Sequence, residues 1–526
     1  MICGVIVSLT LVLGILSPCF ADTPAELANS GKYEEAVEGY RKAIAGEPDK
    51  ARKAILLKEL GDLFASREDY GNAADQYISS LVYSRNFTEE ERLYMATRIS
   101  WGGKYSAAIR ELRLILAGNA GNNEARIQLA RTMAWSGDQK GAIEEAEQVL
   151  KNDPQNRDAM LVKANALKWQ GRVDRALPIY QKLLKEQEEF DARLGFAYAQ
   201  SASGNRTGAR KSASLLKPEY PYQEKEIKEL LDELSKTARP HLDPWYSYYN
   251  DTDHNRRNRY GLHYGQPLGN LDIDFDFRHT DAGDSTRHNW AEDFGVKGYS
   301  KITGFLGLGG GVGFSPVHGS GTNYFVTGNL RGDVTIPGGN IGLSLVREVF
   351  SDTAELIENR IRFNSANLSV SQRLTDRVSL FGQYSYRDYS DDNAANDFLF
   401  APSYSFFTGN PSFAMGYRFR YMNYDRQSSG GYFDPNDYMS HQIFATVSYE
   451  KKAFSVYFEP YFGVQSFRRN GIDSSTDIVG GFSGALGYQL SKSLRIDIDG
   501  EFGNYAAQTA SGFEYFYIGV KIGATF

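Results

Sequence analysis

The sequence predicts a multi-domain chain: an N-terminal all-α repeat solenoid over residues 22–240, then a C-terminal transmembrane antiparallel β-barrel of about 16 strands over residues 245–526. Three observations carry this. The first half is self-similar at a period of 34 to 37 residues, and the apolar period drops from 3.6 to 2 after Pro240-His-Leu-Asp-Pro244. Aromatics are also unevenly spread: of 65 Phe and Tyr, 16 precede Trp245 and 49 follow it, whereas only six lysines follow it. A charged fraction of 23% and a mean hydropathy of −0.45 argue against a helical membrane protein. A net charge of −7, with no basic cluster and no RNA-binding motif, disfavours nucleic acid as a partner.

Residues 2–20 are apolar and run into Pro18-Cys19-Phe20-Ala21 before the polar Asp22, with small residues at the −3 and −1 positions of a cut after Ala21. This reads as a secretory signal peptide over residues 1–21. No Lys or Arg precedes the apolar run, so either the α-amino group alone supplies the positive charge or the start lies upstream. Both cysteines, Cys3 and Cys19, fall inside this segment, which leaves the rest of the chain without thiols for disulfides, catalysis or metal binding.

The repeat is seen first in Gly31-x-Tyr33-x-x-Ala36-x-x-x-Tyr40-x-x-Ala43, closing with Pro48. Further copies centre on Ala73 (with Gly61, Tyr70 and Tyr77), Ala108 (with Gly103 and Tyr105), Ala142 (with Gly137 and Pro154) and Ala176 (with Gly171 and Tyr180). A degenerate sixth copy surrounds Gly204 and Ala209, and a helix over 223–238 would cap the stack. The pattern resembles the tetratricopeptide repeat. Its physical logic agrees: the small Ala lets two helices cross closely, Gly ends the first helix, and the aromatic residue fills the gap between repeats. Such a solenoid implies a concave groove for a protein or peptide partner.

From Trp245 onward one parity is apolar and the other wet. Leu271, Ile273, Phe275 and Phe277 alternate with Asp272, Asp274, Asp276 and Arg278; Leu494, Ile496, Ile498 and Phe502 with Arg495, Asp497, Asp499 and Glu501; and Phe516, Ile518, Val520 and Ile522 with Tyr515, Tyr517, Gly519 and Lys521. Connectors alternate between short (267–270, 337–340, 375–377, 409–411, 451–452, 491–493) and longer and polar (251–258, 281–287, 388–396, 425–437, 468–477). That asymmetry suits a barrel with short periplasmic turns and longer outer loops, and closure satisfies every backbone group in lipid. The last strand ends in Phe526, as outer-membrane barrels recognised by the assembly machinery commonly do. Pro402 and Pro460 within strands predict bulges or rim positions; Arg347 on an apolar parity, and Ile361 and Phe363 out of phase with Leu368 and Val370, predict a register slip or bulge. Trp245, Tyr246 and Trp290 read as an interfacial girdle.

No catalytic constellation is present. The histidines at 241, 254, 263, 279, 288, 318 and 441 lack a metal-ligand spacing, and no Gly-x-Ser-x-Gly or phosphate loop occurs, so neither an enzyme nor a cofactor or metal is expected. A repeat stack fused to such a barrel resembles the outer-membrane secretins of exopolysaccharide systems, the exporters of poly-N-acetylglucosamine and cellulose, and the YaiO-type barrels. The resemblance implies an outer-membrane protein with its repeats in the periplasm, which hold the polymer or its modifying enzyme while the barrel passes the chain outward. Candidate lumen residues are Asp272, Asp274, Asp276, Glu459, Asp497, Asp499 and Glu501, which accept hydrogen bonds from sugar hydroxyls, with Tyr457, Tyr461, Tyr515 and Tyr517 for stacking on sugar faces. For any one carboxylate, neutralisation by Lys297, Lys301 or Lys521 on a neighbouring strand is the better expectation. The second functional reading is a non-transporting outer-membrane anchor whose repeats recruit a periplasmic protein, with the Asp425 to Asp437 loop folded inward as a plug.

Overall fold

The computed structural model describes residues 23–469, 472, 473, 476–505 and 514–526. The leader expected over 1–21 lies outside the described residues. The chain divides into two compact units, Met1–Val162 and Lys163–Phe526.

The first unit holds α1 (Pro24–Asn29), α2 (Tyr33–Gly46), α3 (Lys50–Ala65), α4 (Tyr70–Tyr83), α5 (Glu89–Trp101), α6 (Tyr105–Gly118), α7 (Asn123–Trp135), α8 (Gln139–Asn152) and the start of α9 (Arg157–Trp169). They pack as pairs, and Ala36, Ala73, Ala108 and Ala142 each sit, fully buried, on the second helix of a pair. A larger side chain at these crossings would push the helices apart. Each pair turns through a left-handed residue: Gly31, Gly103 and Gly137 at φ 80°, 75° and 95°, but Glu68 at φ 60° in the second repeat. Asp69 and Asp138 then cap the following helix, accepting from the amides of Asn72 (3.2 Å) and Gly141 (2.9 Å). Gly61 is therefore not the turn glycine of its repeat. It lies mid-helix in α3, where a Cβ would come within 2.7 Å of the Tyr77 ring, and Tyr77 donates to Asp62 across the same pair (2.7 Å). Glu68 carries a left-handed penalty that its glycine counterparts avoid, so Glu68→Gly is expected to stabilise the helices by about 1 kcal/mol. A raised thermal midpoint of the helical circular dichroism signal checks this; an unchanged midpoint refutes it.

The second unit continues with α10 (Val173–Glu186), α11 (Phe190–Ala202), α12 (Arg206–Ala213) and α13 (Pro221–Lys236). Ala176 and Ala209 are again fully buried, and Leu230 and Leu234 of α13 close the stack over Ala197, Ala209 and Ala213. The barrel follows: β1 (His241–Asp251), β2 (Arg256–Leu268), β3 (Leu271–Gly283), β4 (His288–Lys301), β5 (Leu306–His318), β6 (Thr322–Ile336), β7 (Gly339–Val349), β8 (Arg362–Arg373), β9 (Val378–Tyr389), β10 (Ala394–Phe407), β11 (Ser412–Tyr424), β12 (Asn436–Lys451), β13 (Phe454–Arg469), the two-residue β14 (Ile472–Asp473), β15 (Asp477–Ser491), β16 (Leu494–Gly503) and β17 (Tyr515–Thr525). Pairing is antiparallel throughout, β13 joins β15 directly, and β1 pairs with β17 from His241↔Thr525 to Asp251↔Tyr515. The sheet is thus a closed barrel of 16 wall strands, β14 being an extension at a loop. Closure leaves no edge strand.

The outer wall is apolar: Val312, Val326, Leu330, Ile443, Phe462 and Ile478 are all more than half exposed. Arg206, opening α12, ties the last repeat to the proximal end of the barrel, the end holding Pro240 and Thr525. It pairs with Asp272 (2.7 Å) and donates to the carbonyl of Gly269 (2.8 Å), while the Lys301 ammonium donates to the carbonyl of Ala202 (2.8 Å).

Several expectations need correction. No register shift occurs at the prolines: Phe400↔Phe419 and Ser403↔Gly416 keep one register around Pro402, as Phe444↔Tyr461 and Val447↔Phe458 do around Pro460. Each proline interrupts one ladder without bulging it. β7 and β8 pair continuously from Gly339↔Gln372 to Val349↔Arg362, so Arg347 is an exposed outward residue rather than the mark of a slip. Phe363, opposite Glu348, is out of phase because it is an inward residue packed against a buried aromatic cluster, which also takes up Ile361. Trp245 is no girdle residue. It lies on the inward parity with Ser247 and Tyr249, over Gly261, whereas Tyr246 and Trp290 face out.

Candidate functional site: a plugged lumen

Several inward rings lie down along the wall instead of standing in the bore. Trp245 rests over Gly261, His241 over Gly265, Phe444 over Gly416, and the Tyr461 hydroxyl over Gly481 and Gly503; a methyl group on any of these glycines would overlap the ring or, for Tyr461, its hydroxyl.

The inward charges are mostly paired. Across strands Asp276 meets Lys297 (2.8 Å) and His263 (2.7 Å), and Arg278 bridges Asp293 (2.8 Å) and Glu348 (2.9 Å); along β16 Asp497 meets Arg495 (2.7 Å). Glu459 is held by Arg418 and the Tyr457 hydroxyl, and Glu501 accepts from the Tyr515 hydroxyl. Asp499 and Tyr517 meet over Gly519, Asp274 lies 3.8 Å from His263, and Asp272 is engaged by Arg206. Local neutralisation therefore describes most of the predicted acidic ladder. Lys297 plays its expected part, whereas Lys301 turns to a helix carbonyl. Tyr461, Tyr515 and Tyr517 belong to or pack against a buried aromatic cluster, while Tyr457 remains open to the lumen.

That cluster is a plug at the distal end. Two segments build it, and both connect strands at the end far from Pro240. One, residues 350–361, contains α14 (Ala354–Glu358), capped by Thr353, whose hydroxyl accepts from Leu356 (3.2 Å). The other is 425–435. Tyr432 stacks on Tyr389 with ring centroids 4.7 Å apart, and with Phe433, Leu356 and Ile361 it packs on inward residues of the wall, including Tyr249, Met422, Tyr438 and Tyr461. Polar ties hold both segments. Arg257 (2.9 Å) and Arg259 (2.7 Å) grip Asp352, Arg287 pairs with Glu358 (3.0 Å), and Asn289 donates to the carbonyl of Ala354 (2.9 Å). Tyr432 donates to Asp391 (3.0 Å), and Arg469 pairs with Asp434 (3.1 Å). Gly431, at φ 91°, brings the second segment against Glu355 of the first; an L side chain there would be strained and would collide.

Burial alone pushes the Asp352 carboxyl up, but Arg257 and Arg259 outweigh it and hold the group well below the usual carboxylate range. Burial pushes Asp434 up, partly offset by the Ser428 amide and Arg469. A cavity of about 340 Å³ lies beneath the plug among Arg259, Arg278, Glu348, Arg387 and Arg420, and another of about 380 Å³ lies at the proximal end among His241, His263, Asp274, Tyr299 and Arg331.

Three features escaped the sequence. The first is α14, although Thr353 ahead of Ala-Glu-Leu-Ile-Glu is a helix-start signal inside a strand-rich stretch. The second is Trp245. The third is a set of indoles: Trp101, Trp135 and Trp169, spaced 34 residues apart, each end the first helix of a repeat and are 46%, 38% and 47% exposed. Their spacing was available from the chain itself.

The tetratricopeptide-repeat family matches residues 26–88 and 136–192. No curated protein matches the chain. Among solved structures, the chain is similar to a bacterial polysaccharide outer membrane secretin, at 13% identity and a TM-score of 0.45, with 55% of this chain and 99% of that one covered. It is also similar to CdiB from Acinetobacter baumannii, at 13% identity and a TM-score of 0.35, covering 55% of this chain and 60% of that one. A tetratricopeptide repeat protein from Parabacteroides merdae is similar at 16% identity and a TM-score of 0.33, covering 40% of this chain and 90% of that one. The N-terminal helices, residues 24–236, are thus tetratricopeptide repeats, followed by a closed antiparallel barrel of 16 strands.

Proposed function

We propose that this chain is a gated outer-membrane conduit for an exopolysaccharide, whose repeats stand in the periplasm and receive the polymer or the enzyme that modifies it. The observation that carries the reading is the plug. A barrel of 16 strands is too wide to be filled by its own wall side chains, and here two discrete loop segments pack into its distal end, while rings of the wall such as Trp245 and Phe444 lie flat over glycines. Such an obstruction is removable. Wall charges neutralised in place leave hydroxyls, amides and rings to meet a passing sugar chain, which suits a weakly held, moving cargo better than a continuous acidic track would.

The substrate class rests on Trp101, Trp135 and Trp169. Exposed indoles at the same position of consecutive repeats offer flat apolar faces of the kind that stack on sugar rings. Replacing all three with alanine is expected to lower surface polymer at least several-fold while the barrel remains folded and inserted; unchanged polymer removes the carbohydrate assignment. The anchor reading draws on the same plug, since a barrel that never opens would also be closed this way, and conductance separates the two.

A further inference from the structure

We infer that His241, Asp243 and His263 form a binding site for a divalent transition-metal ion of the zinc class at the proximal end of the lumen, a site independent of the conduit reading. The Nε2 atoms of His241 and His263 lie 3.1 Å apart, and one ligand atom from each of the three residues falls within 4.8 Å of the others. Two imidazole nitrogens bound to a tetrahedral zinc at about 2.0–2.1 Å stand roughly 3.3 Å apart. The pair is therefore already set at ligating distance, and a rotation of the Asp243 side chain closes the rest.

The surroundings are built for it. Asp276 lies 2.7 Å from Nδ1 of His263. An ionised carboxylate only accepts, so the ring proton is held on Nδ1 and the lone pair of Nε2 faces His241, the arrangement in which a carboxylate orients a ligating histidine. His241 takes its place because the residue beneath it is Gly265, where any side chain would overlap the ring. Asp243 stands directly opposite His263 in the β1–β2 register and lies beside Gly523. The adjoining cavity of about 380 Å³ gives the ion a way in. The two histidines sit on neighbouring strands, which is why their sequence spacing matches no metal motif.

The test uses the untagged full-length protein in detergent micelles, titrated with Co²⁺ and then Zn²⁺. One Co²⁺ per chain with visible d–d absorption, bleached by Zn²⁺, is expected. Asp276→Asn should weaken Co²⁺ binding roughly 10–100-fold, and His241→Gln, His263→Ala and Asp243→Asn should each remove the bands. Folding of every variant is checked by heat-dependent mobility in gels, and Asp243→Asn, which preserves shape, carries the test if a histidine variant fails to fold. Absence of bands in the folded wild type overturns the site, as do bands that persist in the folded variants; the contact is then a hydrogen bond between two histidines and no metal site.

Discussion

Tyr432→Ala combined with Phe433→Ala is expected to open the barrel, giving steady ion conductance in planar bilayers where the wild-type protein stays closed or flickers. The two rings are 1% and 6% exposed at the centre of the plug. Burying each is worth about 1.5–3 kcal/mol, so together they supply about 3–6 kcal/mol. That is close to the roughly 5.5 kcal/mol that moves a two-state population from 1:99 to 99:1. The double variant also loses the Tyr432 hydrogen bond to Asp391, which strengthens the effect. Replacing residues 426–434 with a short Gly-Ser link should act in the same direction. A folded double variant that conducts no more than wild type ends the conduit proposal and leaves an anchor.

Arg420→Ala is expected to destabilise the barrel by about 3–5 kcal/mol, because it strands a buried carboxylate. The Arg420 side chain is 13% exposed and Asp397 is 9% exposed, and the guanidinium donates to both carboxylate oxygens, at 2.9 and 2.7 Å. Changing both partners to apolar residues, Arg420→Met with Asp397→Leu, should recover most of the loss, since no unpaired charge then remains. Urea unfolding in micelles, followed by tryptophan fluorescence, measures both. A single variant that loses less than about 1 kcal/mol would show the pair to be solvated.

The repeats and the wall were readable because both depend on local rules. Ala36, Ala73, Ala108, Ala142, Ala176 and Ala209 announce the helix crossings by period alone, and all six are fully buried. Ladders such as Asp272, Asp274 and Asp276 announce the inner face by parity. Gly61 misled because glycine serves two purposes in this fold, and the second repeat uses Glu68 where the others place a left-handed glycine. Phe363 misleads because parity is judged by greasiness, and an inward aromatic is greasy too; Trp245 misleads because an aromatic at a strand end suits the interface as well as the lumen. In the candidate site, the sequence marks the loop 425–437 as able to fold inward, but not its companion α14. Nor does it mark the meeting of His241 with His263, because the register of the β1–β2 hairpin, which brings them together, is not fixed by their spacing in the chain.

The seating of large rings in glycine hollows sets the calibre of the tube. Since Phe444, Tyr461 and Trp245 recline only because Gly416, Gly481, Gly503 and Gly261 make way for them, bulk added to a glycine would raise the opposing ring into the passage like a spoke. Bore diameter in this molecule is thus written in its smallest residues, and it can be narrowed in steps without touching a single charged group.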